Sequence, residues 1–162
     1  MNINEYNGKF TMPKTGRKLN LSIYQEEIID DLIEGHKTIY YRSRMGNSTA
    51  MIFFMFVSML EHPKYKICYI GANEEQVNKF KDDFEKYLAY NLKFMNERTY
   101  YSDNDGNISL ENESNIDFYT ASQVNKAGTY DKVICENYVF SSSEEKQLED
   151  KLNTNIQYVL EN

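Results

Sequence analysis

The chain has 162 residues, 41% of them apolar and 27% charged, which is enough for one domain with a sizeable core. Its 25 acidic residues outnumber its 18 Lys and Arg, and the net charge of −7 excludes a surface built as a whole to grip nucleic-acid phosphates. Two cysteines, Cys68 and Cys135, fall inside apolar strand-like runs, so a disulfide frame and a metal cluster are excluded and a reducing compartment is expected.

Residues 1–20 are polar, carry Gly, Pro and Lys, show no signal-peptide pattern and predict an irregular arm. Lys14, Arg17 and Lys18 form a local basic cluster there and read as a solvated tail. Ser22 to Glu34 predicts a helix: Ser22 and Gln25 make a capping-box pair, Tyr24, Ile28 and Leu32 share a face, and Gly35 stops it. Thr38–Arg42 reads as a strand. After a short loop containing Gly46, the run Ala50–Leu60 is apolar on nearly all sides and predicts a buried helix starting near Ser48. It is far shorter than the ~20 residues needed to span a bilayer.

Lys66–Ile70 is the next strand. Asn73 then caps a helix carrying Val77, Phe80, Phe84 and Leu88 on one face. Thr99-Tyr100-Tyr101 and Ile108-Ser109-Leu110 flank the turn Asp103-Asn104-Asp105-Gly106-Asn107 and predict a hairpin. Ile116–Tyr119 is a strand, and Lys132–Cys135 is another that ends in Glu136-Asn137. Ser141–Ser143 cap a helix from Glu144 to about Leu152, and Ile156–Leu160 forms the last strand.

Strands alternate with helices, and several strands are continuously apolar, which predicts a mostly parallel sheet covered on two faces. Ligands bind such sheets at the carboxyl ends of strands. The loops after Tyr41 and after Cys135 both lie there. The first runs strand, glycine turn, Ser/Thr, helix, the layout of a phosphate-binding loop. Arg42, Arg44, Gly46, Asn47, Ser48 and Thr49 are therefore candidate phosphate contacts, although Asn47 stands where such loops carry a lysine. Blander readings stay open beside this one. Gln25 is equally a capping partner, Gly46-Asn47-Ser48 a plain turn with Ser48 as cap, and Glu136 a solvated strand end.

From about Leu21 onward the chain resembles the ATPase domain of tailed-phage terminase large subunits, the DNA-packaging motors. LSIYQEEIIDDL (21–32) looks like the family's adenine-contacting segment. YRSRMGNST (41–49) looks like its deviant Walker A, which typically reads Arg-Gln-x-Gly-Lys-Ser/Thr. KICYIGANEEQV (66–77) looks like the strand and helix that follow. The hairpin before NIDFYTAS (115–122) matches in position, and YDKVICENYVF (130–140) looks like the Walker B strand. The departures are specific. Asn47 replaces the lysine, Glu136 stands at the magnesium-site aspartate, and Asn137 stands at the catalytic glutamate.

The resemblance implies a P-loop NTPase-like three-layer α/β sandwich over residues 21–162, with a mostly parallel central sheet and a small β-hairpin insertion. It implies Gln25, Arg42, Arg44, Gly46, Asn47, Ser48 and Thr49 as nucleotide contacts, and Ser48 and Glu136 as magnesium ligands. ATP and magnesium are its expected ligands, bound weakly or not at all. The expected function is that of a degenerate, non-hydrolysing binding or regulatory module in the cytoplasm of the infected bacterial host, working through a protein partner of the packaging machinery, with no duplex binding by the domain alone. Two alternatives stand beside it: an active packaging ATPase fragment using Arg42 or Arg44 in place of the lysine, and an acidic protein-interaction module that ignores nucleotide.

Overall fold

The computed structural model describes residues 1–91, 100–102 and 106–162. Its strands are β1 (Thr38–Tyr41), β2 (Lys66–Gly71), β3 (Tyr100–Ser102), β4 (Asn107–Leu110), β5 (Asn115–Thr120), β6 (Lys132–Glu136) and β7 (Ile156–Glu161). They form one sheet in the order β1-β7-β6-β2-β5-β4-β3. From β1 to β5 every pairing is parallel. β4 and β3 extend the sheet antiparallel, as the hairpin prediction requires. Thr99 and the turn residues Asp103, Asn104 and Asp105 lie outside the described residues.

Two cores follow from the period-two alternation of the strands. Ile39, Ile67, Tyr69, Ile116, Ile134 and Val159 point to one face. Cys68, Ile70, Val133, Cys135, Ile156 and Tyr158 point to the other. The first face is covered by α2 (Ile23–Glu34), α3 (Asn47–Glu61) and α4 (Glu74–Asn91), the second by α5 (Ser142–Leu152) and the short turn Val124–Lys126. Each large apolar side chain taken from water contributes about 1.5–3 kcal/mol.

The helix termini are written in local chemistry. Ser22 Oγ accepts from Gln25 N while Gln25 Oε1 accepts from Ser22 N, so α2 starts with a complete capping box. Gly35, at φ 78°, closes it in the left-handed conformation. Asn73 Oδ1 accepts from Gln76 N to start α4, and Ser141 Oγ accepts from Glu144 N to start α5. Every residue of α3 from Ala50 to Met59 is buried. No helix among the described residues is long and apolar enough to cross a membrane.

Residues 1–20 depart from the expected irregular arm. They contain a one-turn helix, α1 (Ile3–Tyr6), and a loop that folds back on itself through a bridge between Thr11 and Lys18. Leu19 N donates to the Phe10 carbonyl (2.7 Å), and both side chains are buried in the main core. The Phe10 ring meets Phe53 edge-on at 5.2 Å and stacks on Phe56 at 5.3 Å. Asn91, fully buried at the end of α4, pins the loop: its Oδ1 accepts from Thr11 N (2.7 Å) and its Nδ2 donates to Thr11 O (3.1 Å). One aromatic ring among polar neighbours has no periodicity to reveal it; only the packing of α3 gives Phe10 a place to go.

Candidate functional site

The parallel register brings the carboxyl ends of the strands to one edge, with β6 ending two residues short of β1 and β7. Tyr41 sits beside Glu161, Val159 beside Glu136, and Glu136 beside Gly71. β7 alone separates β1 from β6, and about 4.8 Å per strand with a two-residue offset puts the two ends roughly 12 Å apart. The loop after β1 and the end of β6 therefore open on one edge, within reach of each other's side chains.

In that loop Arg44 (φ 64°) and Gly46 (φ 78°) are both left-handed. Gly46 caps α3 with no side-chain bond, so the first-turn amides of α3 have no intrahelical acceptor. Glycine is favoured at 46 by its left-handed φ, and a Cβ there would lie 2.3 Å from Gln25 Nε2 and displace that amide from the loop. That nitrogen donates to the Gly46 carbonyl (3.2 Å). The Gln25 oxygen closes the α2 capping box and its nitrogen anchors the loop, so both polar atoms have partners inside the protein.

Glu136 is only 5% exposed and is held by neutral donors. Asn47 Nδ2 donates to Oε2 (3.1 Å), the Tyr69 hydroxyl to Oε1 (2.5 Å), and Gln76 Nε2 to Oε1 (3.3 Å) and to the Glu136 carbonyl (3.0 Å). Burial pushes the Glu136 carboxyl above its ordinary range; the three donors and the field of Lys79 oppose that without reversing it. The Tyr69 hydroxyl is itself pushed up, by burial first and by Glu136 second.

Asn137 has a different task. It sits at φ 54°, a conformation Asn tolerates better than most residues. Its Nδ2 donates to the Tyr41 hydroxyl (2.8 Å) and its Oδ1 accepts from Glu161 N (2.9 Å). The side chain thus clamps the ends of β1, β6 and β7.

A cleft of about 250 Å³ lies over these groups, lined by Arg44, Asn47 and Ser48 from the loop side and by Lys79 and Asp83 from α4. A magnesium ion fits the donor set. Both lone pairs of Glu136 Oε1 are taken, but Oε2 has one donor, and the Ser48 hydroxyl has no hydrogen-bond partner among the described residues. Two protein ligands suit an ion that keeps most of its waters.

The remaining candidates divide. Arg42 lines a separate groove, with Tyr24, Glu27, Asp31 and Tyr40 beside α2. The Thr49 hydroxyl is turned to the Tyr87 hydroxyl on α4 (3.2 Å). Sequence reasoning missed Tyr69, Gln76 and Lys79. The Tyr69 ring stacks on Phe80 at 4.0 Å and 3°, which locks α4 against the site. Nothing in their spacing marks these residues; β2 and β6 had to be paired first.

The chain superposes on the large terminase of bacteriophage HK97 with a TM-score of 0.77, over 97% of this chain and 36% of the terminase, at 11% identity. This is the fold of the phage large terminase ATPase domain. The ATPase domain of the Thermus phage P74-26 large terminase matches at a TM-score of 0.62, over 88% of this chain and 70% of that one, at 12% identity. The UvsW helicase of bacteriophage T4 shares the fold as well, with a TM-score of 0.67 over 98% of this chain and 58% of the helicase, at 12% identity. No family model matches the sequence, and no curated protein does. At these identities the likeness lies in the fold, and the chain spans little more than a third of the HK97 terminase.

The protonation of Glu136 gives a measurable consequence. Its raised folded-state value means the native protein binds this proton more tightly than the unfolded chain, whose value is about 4.3. The stability from this group is fully present below that value and is lost as pH rises through the folded value. Glu136→Gln removes the dependence, with the Asn47 amide turning its oxygen to the new amide nitrogen. The variant is expected to melt a few degrees higher than wild type at pH 7, with the gap closing toward pH 4. Thermal melts across that range check it; a variant less stable than wild type at pH 7 contradicts it.

Proposed function

We propose that this chain is a nucleotide-binding domain on the terminase ATPase fold that does not turn over ATP, and that it serves as a binding or regulatory module in phage DNA packaging. The observation that carries this reading is the hydrogen bond from Asn47 to Glu136. The residue at the lysine position of the loop brings no charge, and its amide is turned onto the carboxylate that would receive magnesium. Phosphoryl transfer depends on positioning and charge neutralisation. The α3 amides, Arg44 and Ser48 remain to hold phosphate, while the general base is replaced by Asn137. Losing both the lysine and the base removes several kcal/mol of transition-state stabilisation, a rate factor of at least ~10³.

ATP with magnesium is the ligand pair this reading names, with the host cytoplasm as the setting and a protein of the packaging machinery as the partner. The acidic balance of 25 to 18 argues against duplex binding by the domain alone. Calorimetric titration with ATP and magnesium, run beside a phosphate-release assay, tests the proposal. The expected result is measurable binding without hydrolysis above background. Hydrolysis abolished by Arg44→Ala overturns it in favour of an active packaging ATPase fragment.

A further inference from the structure

A nucleotide's phosphates carry three to four negative charges, and the loop offers them Arg44 and no lysine. We propose that Lys79 of α4 is the phosphate-binding cation of this cleft, standing in from across the site for the lysine missing at position 47. This inference rests on the phosphate-binding reading above and adds the residue that makes it work.

Three observations support it. Lys79 lines the cleft opposite Arg44 and Ser48, and neither cation has an ion pair within 4 Å among the described residues. The helix that carries Lys79 is fixed on both sides of it. Gln76, one turn earlier, bonds the Glu136 carboxylate and carbonyl, and Phe80, the next residue, stacks on Tyr69. A lysine on so anchored a helix presents its ammonium group to the cleft without reordering the backbone. Lys79 also borders a second, larger cavity of about 590 Å³, where Ser48 and Asp83 continue the same walls and Tyr87 and Tyr90 add aromatic surface. That cavity also carries Lys14 and Lys86, so further cations lie beside Lys79. The charge arrives from a different element than the loop, so the glycine turn keeps its shape while Asn47 stays on Glu136.

The test compares wild type, Lys79→Ala, Lys79→Arg and Lys146→Ala, the last on α5 across the sheet as a control for net charge. Inorganic tripolyphosphate and ATP are titrated calorimetrically, and melts confirm that each variant folds. Removing one charge-assisted phosphate contact is expected to weaken both ligands roughly ten- to a hundredfold. Lys79→Arg is expected to stay within a few-fold of wild type, and Lys146→Ala to match it. A folded Lys79→Ala protein that binds tripolyphosphate as tightly as wild type overturns the assignment of Lys79 and leaves the phosphate cleft standing. Wild type that binds neither compound overturns the cleft itself, and the role of Lys79 with it.

Discussion

Phe10→Ala is expected to lower stability by about 3–5 kcal/mol, the usual cost of removing a buried phenylalanine. In a chain of this size each kcal/mol moves the melting midpoint by about 2–4 °C, so the midpoint falls by roughly 6–20 °C. The expectation rests on contacts made far from Phe10 in sequence. Its ring is 1% exposed and packs between Phe53 and Phe56 on α3. The loop that holds it is tied to the end of α4 by Asn91. Thermal unfolding followed by circular dichroism measures the effect. A shift below about 2 °C would mean that residues 1–20 are a solvated arm after all. Deleting those residues is expected to do more damage than Phe10→Ala, because it also exposes the faces of α3 and α4 that the segment covers.

On the proposed non-hydrolysing reading, Asn47→Lys and Asn137→Glu together are expected not to produce ATP turnover. The two positions differ in what they can accept. A lysine introduced at position 47 would meet Glu136 as an ion pair and should strengthen triphosphate binding. A glutamate introduced at position 137 would lose the amide donor that now bonds the Tyr41 hydroxyl, and would have to hold φ 54° without the tolerance that asparagine has. It would also place a third carboxylate beside Glu136 and Glu161, which already line the cleft. A lost part-buried hydrogen bond and a strained backbone cost about 1–2 kcal/mol each, so the midpoint is expected to fall by roughly 4–16 °C. Turnover should stay at least ~10³ below that of a competent site, because a base that has lost the clamp on Tyr41 is not held in line with water. Phosphate release by the double variant, well above wild type, would show that the site keeps its catalytic geometry and that two side chains alone separate it from activity.

The sequence alone determined the layers of this protein. Continuous apolar strands such as Lys66–Ile70 and Lys132–Cys135, separated by helices, require a parallel sheet with both faces covered, because a strand with no polar side has no face to give to water. The helix boundaries were equally legible. Ser22, Gln25, Gly35, Asn73 and Ser141 act on backbone groups within a few residues of themselves, so their effect is visible in the local string. The glycine turn before α3 was legible for the same reason.

Tertiary structure decided what those residues do. That Asn47 reaches Glu136, 89 positions away, follows from β7 slipping between β1 and β6 and from the register that brings their ends to one edge. That Arg44 lines the cleft and Arg42 a separate groove depends on two left-handed residues in one short loop. Tyr69, Gln76 and Lys79 carried no signal because their partners belong to other strands. Phe10 carried none because a single ring has no period. Local chemistry acts over a turn of helix and can be read along the chain; charge, burial and long-range hydrogen bonds act through space, and only the folded sheet brings their partners together.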